Sequence, residues 1–141
     1  MKRDFIHITD FSAEEIQTIF NISSRLKKET KEGSHHHYLK GKTLAMIFEK
    51  PSTRTRISFD LAIKQLGGSS MILNPDGIHY GKGNETLKDT AKVLSEYADI
   101  IMLRTSSHEN LKEFGKHLNI PIINEIITAS LDKLSLIIEC K

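Results

Sequence analysis

The sequence predicts an α/β domain: a three-layer sandwich with a four-stranded parallel sheet flanked by helices. Three observations predict it. Four short apolar runs of strand length occur in TLAMIFEK, SSMILN, DIIMLRT and PIIN. Segments with apolar residues at helical spacing separate them. The first and third runs are continuous rather than alternating, as expected of strands covered on both faces. Strands alternating with helices imply right-handed crossovers and parallel pairing.

The elements follow in order. Ser12 and Glu15 form a capping box, each covering the other's free backbone N–H. Ile16, Ile19, Phe20 and Leu26 then share one stripe, so residues 13–30 should be an amphipathic helix. KETKEGSHHHYLKGK is a polar connection into the first strand. A second helix is marked by Phe59, Ala62, Ile63 and Leu66 and ended by Gly67 and Gly68. SSMILN follows as a strand, then NPDGIHYGKGNE as a turn-rich loop. Residues 86–97 read as a helix through Leu87, Ala91, Val93 and Leu94. DIIMLRT is the third strand, residues 107–118 a helix ended near Asn119, and PIIN the fourth strand. The tail, EIITASLDKLSLIIECK, is rich in Leu and Ile but keeps no period of two or 3.6, so its packing is not legible.

Composition narrows the function. The chain has 141 residues, one domain's worth, with 38% apolar and 27% charged residues, as in soluble globular proteins. Its net charge of +2 gives no bulk electrostatic case for nucleic-acid or membrane binding. No apolar run approaches the roughly 20 residues of a membrane span, and MKRDFIHITD lacks the apolar core of a signal peptide. One cysteine, Cys140, excludes an internal disulfide and fits a reducing compartment, so a cytoplasmic protein is expected.

The chemistry concentrates in EKPSTRTR, which follows the first strand and opens the second helix. Ligands of open parallel sheets sit outside the carboxyl ends of the strands. Pro51 restricts the chain ahead of the turn, and Ser52 is the expected N-cap. The first-turn N–H groups would face outward as an anion cradle. Ser52, Thr53 and Thr55 add hydroxyl donors, and Arg54 can fork onto phosphate oxygens. Each charged hydrogen bond contributes roughly 1.5–3 kcal/mol, against about 0.3–1 kcal/mol for a helix terminus, so the side chains would set affinity. Arg54 and Arg56 this early oppose the helix dipole, which a bound anion would offset. Three other features point nowhere. Gly41-Lys42-Thr43 lacks the earlier glycine of a P-loop and precedes a strand. His35, His36 and His37 are consecutive on a polar loop, a poor metal-ligand set. Cys140 has no evident His or Asp partner for nucleophilic catalysis.

FEKPSTRTRISF resembles the carbamoyl-phosphate signature of the carbamoyltransferases, and its Glu-Lys before the proline looks like the ornithine type. The likeness continues through QLGGSSMILN and KDTAKVLSEYADIIMLRTSSHENL to NIPIIN. It implies a carbamoyl-phosphate-binding domain over residues 1–124, a divergent tail over 125–141, and an absent second domain. It also implies that Ser52, Thr53, Arg54 and Thr55 hold the phosphate. Thr55 would also lie near the carbonyl oxygen, and Arg104 would contact phosphate and carbonyl together. Thr55 and Arg104 are thereby the implied catalytic pair. His79 falls where relatives commonly carry a glutamine that reaches carbamoyl phosphate in a neighbouring subunit. Asn84 looks like an insertion in the Gly-Arg-Gly-Glu loop, and Arg56 is expected in a structural salt bridge. The resemblance implies no metal or organic cofactor, carbamoyl phosphate as ligand, and a homo-trimer assembled through this domain.

The chain departs from the family after Asn124, where Gly-Leu-Thr-Asp and then His-Pro-x-Gln are usual. Here EIIT follows, and LDKL stands at 131–134, so the groups that polarise the carbonyl and contact the carbamoyl nitrogen are missing. A frameshifted or truncated reading frame is the expected cause. The expected function is the carbamoyl-phosphate half of an ornithine carbamoyltransferase, inactive alone. The alternatives are a degenerate relic and an oligomerisation or regulatory module; an aspartate-type enzyme ranks behind these.

Overall fold

The structure is a computed structural model that describes residues 2–74 and 86–125. Four helices, α1 (Ala13–Lys31), α2 (Thr53–Gln65), α3 (Leu87–Tyr97) and α4 (His108–His117), alternate with strands β1 (Thr43–Phe48), β2 (Ser69–Leu73), β3 (Ile100–Arg104) and β4 (Ile122–Asn124). The expected helices and strands are all present within a residue or two of their expected bounds. All but the first residue of the turn-rich loop, and all but the first residue of the tail, lie outside the described residues.

The sheet is wholly parallel, in the order β2-β1-β3-β4. Period-two alternation explains why β1 reads as a continuous apolar run. Leu44, Met46 and Phe48 pack with Met102 of β3 and Ile63 of α2 on one face. Ala45 and Ile47 pack with Ile101, Leu103, Ala91, Leu94, Leu111 and Phe114 on the other, under α3 and α4. Both faces are dry, so both alternating sets must be apolar.

Helix bounds follow from local chemistry. Ser12 accepts from the Glu15 N–H while the Glu15 carboxylate accepts from the Ser12 N–H, the expected capping box. Arg3 grips the same carboxylate with both Nη groups, at 2.6 and 2.7 Å, and its bond is the main reason that the Glu15 pKa falls from 4.5 to about 2. At the far end of α2, Gly67 takes φ +87°, and a Cβ there would meet the His36 carbonyl at 2.9 Å. Only glycine enters that left-handed turn without strain or collision.

The amino-terminal segment contributes a pairing that has no signature in the sequence. Phe5 donates to the Ile122 carbonyl and accepts from the Asn124 N–H, each at 2.8 Å, extending the sheet past β4. Asp4 accepts from the Ile122 N–H, and the Asn124 amide donates to the Ile6 carbonyl. This covers an edge that would otherwise offer unpaired backbone groups.

Carboxylates staple the central strands together at both ends. At the amino end Asp99 accepts from the Thr43 N–H (2.9 Å) and from Lys42 (2.7 Å); the Lys42 bond chiefly holds its pKa below the usual value. At the carboxyl end Glu49 accepts from the Thr105 hydroxyl (2.7 Å) and the Ser106 N–H (3.2 Å), while its own N–H donates to the Arg104 carbonyl. That second staple fixes the spacing of the rim where the candidate site lies.

Candidate anion-binding site

The connection after β1 leads toward β2, and the one after β3 leads the opposite way toward β4. The crevice between the carboxyl ends of β1 and β3 is therefore the topological switch point, where such sheets bind ligands. Register supplies the rest. Phe48 lies beside Arg104, and Leu103 beside Asn124, so one further step brings Glu125 level with Arg104 on the rim.

Ser52 occupies the N-cap of α2, as expected, but its hydroxyl makes no capping bond. Ser12, Thr86 and Ser107 all cap their helices with side-chain oxygens. The first bond into α2 runs from the Arg56 N–H to the Ser52 carbonyl at 3.1 Å. The N–H groups of Thr53, Arg54 and Thr55 have no acceptor among the described residues. An open first turn of this kind is a set of aligned donors carrying the positive end of the helix dipole.

Thr53 and Arg54 are exposed, and no ion pair holds the Arg54 guanidinium among the described residues. Thr55 points inward and donates from Oγ1 to Oε1 of Glu125 at 2.7 Å. Arg104 donates from Nη1 to the same oxygen at 2.9 Å. The structure thus brings Thr55 and Arg104, 49 positions apart in sequence (104 less 55), onto one acceptor atom. Ser52, Thr53 and Arg54 line the same helix start, and His79 lies outside the described residues.

Arg56, expected in a structural salt bridge, has no acidic partner among the described residues. Its guanidinium lies 5.2 Å from the centroid of the Phe48 ring, with its Nε buried and without a partner. The neighbouring ring face offers a cation–π contact.

Two residues that matter at the rim were not anticipated. Glu49 belongs to the quoted motif, but its staple to Thr105 and Ser106 needs the strand pairing to become visible. Glu125 begins the aperiodic tail; its one sequence signal is an acid placed directly after a strand end, in register with a basic residue on the neighbouring strand. Among the described residues, no three His, Cys, Asp or Glu side chains gather as metal ligands. No described helix is long and apolar enough to cross a membrane.

An open α/β sheet with an uncapped helix start and a facing guanidinium at its switch point has the makeup of a domain that receives a small oxyanion. The chain belongs to the aspartate/ornithine carbamoyltransferase family: residues 3–130 match its carbamoyl-P binding domain. It is 48% identical over 124 residues to an ornithine carbamoyltransferase of Syntrophotalea carbinolica, covering 88% of this chain and 41% of that protein. The solved ornithine carbamoyltransferase of Pyrococcus furiosus superposes with a TM-score of 0.82 at 45% identity, over 86% of this chain and 39% of that one. The catalytic subunit of the M. jannaschii aspartate transcarbamoylase superposes at 0.77 and 35% identity, over 86% of this chain and 40% of that one. The chain spans about two fifths of the length of the curated relatives it matches.

Proposed function

We propose that this chain is the carbamoyl-phosphate-binding half of an ornithine carbamoyltransferase, acting in the cytoplasm in arginine metabolism, and inactive by itself. The complete reaction joins carbamoyl phosphate and ornithine to give citrulline and phosphate. The observation that carries this reading is the convergence of Thr55 and Arg104 on a single anionic oxygen beside the open turn of α2. Ser52, Thr53, Arg54 and the free N–H groups hold the phosphate. Thr55 and Arg104 face the carbonyl oxygen, which becomes negative when the amine attacks, and donors placed in advance stabilise that charge. Holding two substrates together is worth roughly 7–11 kcal/mol in such reactions, and a domain that holds only one forgoes it. The ornithine type is favoured over the aspartate type by the Glu-Lys before Pro51 and by the names of the relatives. In this reading residues 1–124 are the binding domain and 125–141 a divergent tail.

Calorimetry with carbamoyl phosphate tests the site. Binding by the wild-type chain should weaken at least tenfold in Arg54→Ala, the loss of about 1.4 kcal/mol or more that one charged hydrogen bond supplies. Equal heats from both proteins would reject the site, and no heat from either would favour a degenerate relic.

Assembly as a homo-trimer through this domain is the second part of the proposal. Ile57 and Leu61, one turn apart on α2, are 60% and 36% exposed, an apolar surface that a second copy could cover. Sedimentation at high concentration should show association. A strict monomer excludes both the trimer and a role as an oligomerisation module.

A further inference from the structure

Glu125 is only 2% exposed, yet it is a carboxylate at the mouth of the candidate site. Burial of a carboxylate is costly unless cations and hydrogen bonds compensate it. Thr55 and Arg104, the two groups that converge at the rim, contribute to that compensation. Its main chain has little freedom to drift, because Asn124 is pinned to Phe5 through its N–H and to Ile6 through its side-chain amide. The β3–β4 register then delivers residue 125 beside Arg104.

We propose that Glu125 is a built-in competitor: its carboxylate occupies the oxyanion position between Thr55 and Arg104, and carbamoyl phosphate must displace it to bind. This rests on the reading of the site as a carbamoyl-phosphate site. A carboxylate oxygen and a phosphoryl or carbonyl oxygen present the same acceptor to these donors. Thr55 has one hydroxyl proton to give and it goes to Glu125 together with Nη1 of Arg104, so a ligand oxygen that takes this pair of donors must displace the carboxylate. Apparent affinity falls by the fraction of molecules in which the donors are available; a clamp closed nine-tenths of the time weakens binding about tenfold. Glu125 is thereby an autoinhibitory residue, and it lies at the junction with the divergent tail.

The test is calorimetry with carbamoyl phosphate on the full chain, as wild type, Glu125→Ala and Glu125→Gln. Far-ultraviolet circular dichroism confirms that each variant folds. Removal of the carboxylate should tighten binding at least tenfold in Glu125→Ala, and the neutral isostere Glu125→Gln should tighten it by a smaller factor. A merely structural role would weaken binding or leave it unchanged, so a gain in affinity is specific to competition. Should Glu125→Ala fail to fold, Glu125→Gln decides alone. Wild-type affinity in the folded variants overturns the clamp while leaving the site reading intact. Absence of binding in wild type and both variants overturns the clamp together with the site.

Discussion

Truncation of Phe114 to alanine is expected to lower the unfolding free energy by about 3–5 kcal/mol, the usual range for an aromatic deleted from a closed core. The side chain is 0% exposed on α4 and packs in the same cluster as Ile101, Leu103 and Ile122 of the sheet. Domains of this size are stable by only about 5–15 kcal/mol, so such a loss removes a large share of the total. Urea denaturation reads it as a lowered midpoint at constant slope. Val93→Ala is the matched control. Val93 is 51% exposed, and its truncation should move stability by less than about 0.5 kcal/mol. A Phe114→Ala loss below about 1 kcal/mol would mean that α4 does not close on β3 as described. The consequence reaches the site, because β3 delivers Arg104 to the rim.

What could be read from the sequence was what local patterns determine. Strand β1 announced itself because both of its faces are buried, which leaves no polar residue to interrupt TLAMIF. The bounds of α1 and α2 were legible because Ser12, Glu15 and Gly67 act within a few residues of themselves. The motif around Ser52 to Thr55 could be placed at a helix start for the same reason. Pairings across long stretches of chain were not legible. Phe5 joins the sheet beside Ile123 with no periodicity to mark it. Val93 falls within the apolar pattern of α3, yet the buried face of that helix is set by Ala91 and Leu94, which places Val93 outside. The contact of Arg56 with the Phe48 ring likewise joins two segments that no local pattern links. Glu125 was hidden deepest, since its meaning arises from three segments meeting at one oxygen.

That meeting point produces the other large effect. Arg104→Ala is expected to abolish measurable carbamoyl-phosphate binding and, with no ligand present, to destabilise the fold by about 2–3 kcal/mol. Breaking a buried ion pair from one side costs about 3–5 kcal/mol, and the 31% exposure of the Arg104 side chain brings the figure down by screening. Most of the cost is the burial of the Glu125 carboxylate once its guanidinium is gone, rather than the attraction lost. The double variant Arg104→Ala, Glu125→Ala should therefore recover much of the stability, with a coupling of about 1–3 kcal/mol between the two positions. Binding should not recover with it, because the cation proposed to receive the ligand is still missing. Denaturation of the wild type, both single variants and the double variant closes the cycle. Strictly additive losses would show that the two side chains are not energetically linked, and the account of the rim as a charge-compensated acceptor site would fail with them. A recovered fold that still cannot bind would separate what Arg104 does for stability from what it does for the ligand.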